Sequence, residues 1–229
     1  KKEKISQSDM EASLGRIETT TDSSIVSSCD LVVEAATENE EIKLNIFKEL
    51  DNICQQSAIL ASNTSSISIT ELATATNRPN QVVGLHFFNP VPIMSLIEMV
   101  IGLDTDEETI ATARAFGESL GKKVIVAKDT PGFIVNYLLI PYLLDAIRLV
   151  ESDTASPEDI DSGMVLGCSH PMGPLKLLDF IGLDTTLFIA DVLYDAFRAD
   201  RYAAPALLRK MVAVGHMGRK SGRGFYEYQ

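Results

Sequence analysis

The 229-residue chain changes its hydrophobic rhythm once, a little past its middle. Before that point, short β-rich apolar runs alternate with stretches in which apolar residues recur every three or four positions. The runs cover residues 30–36 (DLVVEAA), 58–64 (AILASNT), 81–88 (QVVGLHFF), 95–101 (SLIEMVI) and 123–127 (KVIVA). Several are apolar without a break, which predicts strands covered on both faces. Between the first two, Ile42, Ile46, Leu50 and Ile53 recur at helical spacing with Phe47 beside them, predicting a helix that buries this face. Ser68 and Glu71 form a capping-box pattern that opens a second helix; TDEE at Thr105 opens a third, closed by Gly121. This alternation predicts an α/β fold with a partial doubly wound, Rossmann-like parallel sheet.

After residues 128–132 (KDTPG) the strand signals stop. Residues 133–151 predict a long helix kinked near Pro141. Ser156 as N-cap, Pro157 at the first helical position and Gly167 at the close predict another. Residues 184–198 and 205–214 supply two more. The chain therefore reads as an α/β domain over 1–128 and an all-helical C-terminal domain over 129–229.

Composition narrows the function. An apolar content of 45% is that of a packed globular protein, and no apolar stretch reaches membrane-spanning length. The polar start of the chain lacks the apolar core of a secretory signal. Cys29, Cys54 and Cys168 show neither C-x-x-C spacing nor an even count, so no zinc site or disulfide framework is indicated, and a cytoplasmic protein is expected. A net charge of −12 argues against nucleic acid as a partner. The one basic cluster, Arg219, Lys220 and Arg223 between glycines, reads as a solvated turn or as a local anion pocket.

In open α/β sheets ligands collect at strand ends, where a complete dinucleotide-binding domain also carries a G-x-G-x-x-G turn after its first strand. No such turn occurs here: Gly15 and Gly84 are isolated, and the residues before 30 leave room for only a helix and a short strand. Three polar features do fall in or after strands: Asn63 to Ser66, His86 with Asn89 and Pro90, and Glu98. Glu98 is the odd one, since an unpaired charge within an apolar strand costs several kcal/mol. His86, twelve residues earlier on what should be a nearby strand, is one partner that would relieve this. A lysine partner, or an outward-facing edge position, would also do so. If the pair forms, the carboxylate holds the imidazole in one tautomer, ready for proton transfer near neutral pH. Asn136, among apolar residues early in a helix, likewise needs a partner if it is buried.

Six segments, VVEAATENEEIKLNIF, ASNTSSISIT, GLHFFNPVPIMSLIEMV, KDTPGFIVNYLLIPYL, HPMGPLKLLDFIGLD and GRKSGRGFYEY, together resemble the L-3-hydroxyacyl-CoA dehydrogenases, especially the 3-hydroxybutyryl-CoA type. The resemblance spans essentially the whole chain. It implies NAD-dependent, reversible oxidation of a short-chain (S)-3-hydroxyacyl-CoA to the 3-ketoacyl-CoA, within fatty acid or butyrate metabolism. It also implies an acyl-CoA substrate and a homodimer formed through the helical domain. By register, His86 matches the family's catalytic histidine and Glu98 its acidic partner, while Ser65 and Asn136 match the residues that hold the substrate oxygen. Glu38, Lys43 and Asn63 match residues on the nicotinamide side. Family members open with the glycine fingerprint, which makes residues 1–128 an incomplete NAD-binding domain. The alternative expectation is a folded, inactive, N-terminally truncated fragment that keeps the dimer contacts without binding NAD.

Overall fold

A computed structural model describes residues 5–228. Helix α1 (Gln7–Leu14) and a 3-10 turn (Ser23–Ser28) precede strand β1 (Leu31–Glu34). There follow α2 (Glu40–Ile53), β2 (Ile59–Ser62), α3 (Ile69–Ala73), β3 (Val82–Phe87), β4 (Leu96–Ile101), α4 (Glu107–Ser119) and β5 (Lys123–Lys128). All five expected strands form one sheet in the order β1-β2-β3-β4-β5. The sheet is mostly parallel, with one departure from the expected pattern: β3 and β4 run antiparallel. Eight residues link them, too few for the crossover that a parallel pair requires.

Helices cover both faces. On one, α2 and α3 bury Phe47, Leu50, Ile69 and Leu72 against Leu60, Val82 and Val100. On the other, α4 packs Ala113 onto Ile59, Val83, Leu85, Ile97 and Met99. Gly84 in β3 permits the close approach of α3, because a Cβ there would meet the side chains of Val100 and Ile69 within about van der Waals distance or less.

Three local expectations shift. The buried face of α2 is centred on Phe47 with Lys43, Leu50 and Asp51, and Ile42 is exposed. The rotation follows from Lys43, whose ammonium is neutralised inside by Glu34. Asp106, not Thr105, caps α4 by accepting from the Thr109 amide; the Thr105 hydroxyl instead donates to the Val82 carbonyl. Arg78 also was not foreseen as a core residue: its guanidinium reaches Asp51 and the carbonyls of Asp51 and Gln55, closing the C-terminal end of α2.

Beyond β5 the chain is helical: α5 (Val135–Glu151), α6 (Pro157–Cys168), α7 (Pro174–Ile181), α8 (Leu183–Phe197) and α9 (Ala206–Ala213). They share a second core of Leu143, Leu144, Ile147, Leu175, Leu178, Leu193 and Leu208. Pro141 lies inside α5 and cannot donate to the Tyr137 carbonyl, which accepts from the Tyr202 hydroxyl instead at 3.4 Å. Helix α6 runs through Gly167 and is closed by Ser169 in the left-handed region, φ 58°. Two buried carboxylates bind the C-terminal segment: Asp179 accepts from the Phe225 and Tyr226 amides and the Tyr228 hydroxyl, and Asp161 from the Tyr226 hydroxyl. Among the described residues no helix is long and apolar enough to cross a membrane.

Candidate active site

The antiparallel pairing sets His86 directly across from Glu98 in register. Alternation along each strand turns both side chains to the α2/α3 face, the face carrying Val82 and Val100. The His86 Nδ1 lies 2.8 Å from Glu98 Oε2, and Glu98 is fully buried. The other carboxylate oxygen accepts from the backbone amides of Ile134 and Val135, at 3.0 and 2.9 Å. Glu98 thus caps the start of α5, where the helix dipole favours a negative charge. The strand carboxylate that looked anomalous in the sequence has three hydrogen-bonding partners.

The linker between β5 and α5 delivers those amides. Gly132 and Phe133 take left-handed backbone conformations, φ 77° and 49°, which is unusual for a phenylalanine. The turn brings the Phe133 ring to 5.7 Å from the His86 ring, and Phe88 lies at 4.6 Å. The imidazole lies against two aromatic rings, and its Nε2 has no protein partner among the described residues. A base with Nδ1 anchored and Nε2 open is arranged for proton transfer to a ligand. Asn136, the second residue of α5, is nine-tenths buried, and its side-chain amide makes no hydrogen bond to a described residue.

The loops after β1 and β2 form the second flank. Glu34, at the end of β1, accepts from the Ser62 hydroxyl and the Ala36 amide and pairs with Lys43 at 2.7 Å. Lys43 is therefore sealed inside beneath the loop, not aligned along an open surface. Glu38 accepts from the Thr64 hydroxyl at 2.7 Å, and from the Ser65 amide and hydroxyl at 2.6 and 2.7 Å. Asn63 accepts from the Phe87 amide through Oδ1, tying this loop to the residue after His86; its amide nitrogen has no described protein partner. Asp129 accepts from the Ser68 hydroxyl and from the Ile69 and Thr70 amides, fastening the same loop to the β5–α5 linker.

The structure thus joins the expected residues into two clusters, His86 with Glu98 and Glu38 with Ser65. Asn63 bridges toward the first, and Asn136 stands at the helix that Glu98 caps. Sequence reasoning missed Asp129 and the Glu34 partner of Lys43; the acidic residue closing the apolar run 31–34 was the available signal for the latter. The basic cluster near the C-terminus is occupied: Lys220 pairs with Asp184, Arg223 lies 3.9 Å from Glu227, and Arg219 stacks over Phe180 and Tyr228.

Comparison with known proteins bears on this geometry. Residues 1–130 match the family model "3-hydroxyacyl-CoA dehydrogenase, NAD binding domain", and residues 132–228 match the C-terminal domain of the same family. The chain is 52% identical over 218 residues to a probable 3-hydroxybutyryl-CoA dehydrogenase of Deinococcus radiodurans, covering 95% of this chain and 78% of the relative. It is 49% identical over 222 residues to the human mitochondrial hydroxyacyl-coenzyme A dehydrogenase, covering 96% and 71%. The crystal structure of (S)-3-hydroxybutyryl-CoA dehydrogenase PaaH1 from Ralstonia eutropha superposes with a TM-score of 0.94 at 48% identity, over 100% of this chain and 81% of that one. The chain belongs to the 3-hydroxyacyl-CoA dehydrogenase family, NAD-dependent oxidoreductases, and carries segments of both its NAD-binding and its C-terminal domain.

Proposed function

We propose that the protein oxidises short-chain (S)-3-hydroxyacyl-CoA, 3-hydroxybutyryl-CoA foremost, to the 3-ketoacyl-CoA and catalyses the reverse reduction. The observation that carries this reading is the His86–Glu98 pair, with one ring nitrogen fixed at 2.8 Å and the other open. His86 Nε2 takes the proton of the 3-hydroxyl, and the resulting imidazolium is stabilised by the Glu98 carboxylate beside Nδ1. In the reduction the imidazolium returns that proton to the oxygen. The free amide of Asn136 donates to the same oxygen as charge develops there, with Ser65 on its other side.

The donor set at the ends of β1 and β2 fits the nicotinamide end of NAD, since the Asn63 amide nitrogen is open and half-buried beside the exposed Ala35 and Ala36. Glu38 and Asn63 would hold that end, and Lys43 would act behind them by keeping Glu34 and the loop in place. When bound there, NAD would supply the acceptor for the hydride that leaves C3. The alternative of an inactive fragment gains no support, since residues 1–130 match the family's NAD-binding domain. A homodimer through the helical half is supported by apolar side chains left open there, among them Leu138, Leu166, Phe180 and Phe188; light scattering on the purified chain tests it, and a monomer would overturn it.

Replacing His86 by Gln tests the chemistry. General acid–base assistance supplies on the order of 10² to 10⁴ in rate, so most turnover should vanish while the melting temperature holds. Near-parental turnover would remove His86 as the base.

A further inference from the structure

Ser65 and Asn136 differ in a way that their shared expected role conceals. A serine hydroxyl has one proton to donate. In Ser65 that proton is directed at Glu38 Oε1, 2.7 Å away, and the Ser65 amide donates to the same oxygen at 2.6 Å. The other oxygen of Glu38 is engaged by Thr64 at 2.7 Å. With its proton engaged, Ser65 turns only lone pairs toward a ligand. A 3-keto oxygen also presents only lone pairs, so the two repel. Asn136, by contrast, has an amide nitrogen free of described protein partners.

We infer that Glu38 is a positioning residue that withholds the Ser65 hydroxyl from the substrate oxygen, leaving Asn136 as the donor until Glu38 is engaged by another group. The inference rests on the proposed reading of the site as a 3-ketoacyl-CoA site. It follows that a hydroxyl-bearing ligand at the Glu38 carboxylate and a ketone at Ser65 bind with positive coupling, because the first releases the proton that the second needs.

The test is a double-mutant cycle on binding, without cofactor or turnover. Acetoacetyl-CoA is titrated calorimetrically into the parent, Glu38→Ala, Ser65→Ala and the double variant. Releasing one hydrogen-bond donor should tighten binding to Glu38→Ala by about three- to tenfold. The gain should disappear in the Ser65→Ala background, which separates it from the loss of a negative charge near an anionic ligand. Glu38→Gln, whose single carbonyl oxygen still accepts from Ser65, should lie between parent and Glu38→Ala, and it serves as the test if the alanine variant melts early. Equal gains with and without Ser65, or no gain, would overturn the inference while leaving the proposed function standing. Failure of every variant to bind acetoacetyl-CoA would overturn the proposed function and the inference with it.

Discussion

The two oxygens of Glu98 perform different tasks, and one isosteric change separates them. In Glu98→Gln the amide carbonyl would remain toward the Ile134 and Val135 amides, since an NH₂ group turned toward two N–H donors would be repelled. The NH₂ then faces His86 Nδ1, which must accept. A neutral imidazole that accepts at Nδ1 carries its proton on Nε2, the nitrogen needed as a base. Turnover should fall by 10² to 10⁴, about 3 to 5 kcal/mol in the barrier. The fold loses less, because the α5 cap persists with a neutral acceptor in place of a charged one, a cost of about 1 kcal/mol. Glu98→Ala removes both tasks and strands a buried histidine and two amides, costing about 3 to 5 kcal/mol. Steady-state reduction of acetoacetyl-CoA, followed by NADH absorbance, and thermal melts of the same preparations separate the two losses. If Glu98→Gln turned over within about tenfold of the parent, the tautomer argument would fail. If both variants melted alike, the capping argument would fail.

The helical half should lose stability in alkali. Burial, aided by the Tyr137 side chain, pushes the Tyr202 hydroxyl from 10.0 up to about 12, and burial also raises Tyr226 and Tyr228, reinforced by Asp161 and Asp179 respectively. Because the folded values lie above the unfolded ones, this stability is complete below pH 10 and drains as pH rises toward 12. Tyr202 alone accounts for about 2 to 3 kcal/mol; a denaturation midpoint that stays constant over that range would contradict it. Arg78→Met leaves Asp51 buried without its ion pair and two carbonyls uncapped, so urea denaturation should show a loss of about 3 to 5 kcal/mol, with little recovery in Arg78→Lys. In Gly224→Ala the new methyl runs into the Asp179 carboxylate, so the C-terminal segment should detach at a cost of at least about 2 kcal/mol and become open to limited proteolysis. Protection equal to the parent's would refute that.

All five strands were legible because sheet burial on both faces leaves unbroken apolar runs. Helix α7 was not, since its start at Gly173 and Pro174 has no side-chain cap and its eight residues make little more than two turns. Caps themselves slipped by one or two residues where several candidates adjoin, as at Thr105 and Asp106. Within the site, Glu98 announced itself as a charge in an apolar strand, and one partner twelve residues away was enough to name the pair. Its second partner, the start of α5, lies 36 residues on and carries no signal, because a backbone amide looks the same in every residue. Lys43 shows the opposite failure: helical periodicity assigns a lysine to the surface, and only the three-dimensional placement of Glu34 overrides it.

The reversal of direction between β3 and β4 bears on how the site is assembled in time. His86 and Glu98 meet by closing a short hairpin, the kind of loop whose entropic cost is lowest. Joining that hairpin to the loop after β2 or to α5 requires contacts of longer range, such as Asn63 with Phe87 and Glu98 with Ile134. Contacts of short sequence separation are favoured early in folding. The His86–Glu98 pair is therefore a property of one local unit, the part of the site with the smallest loop to close.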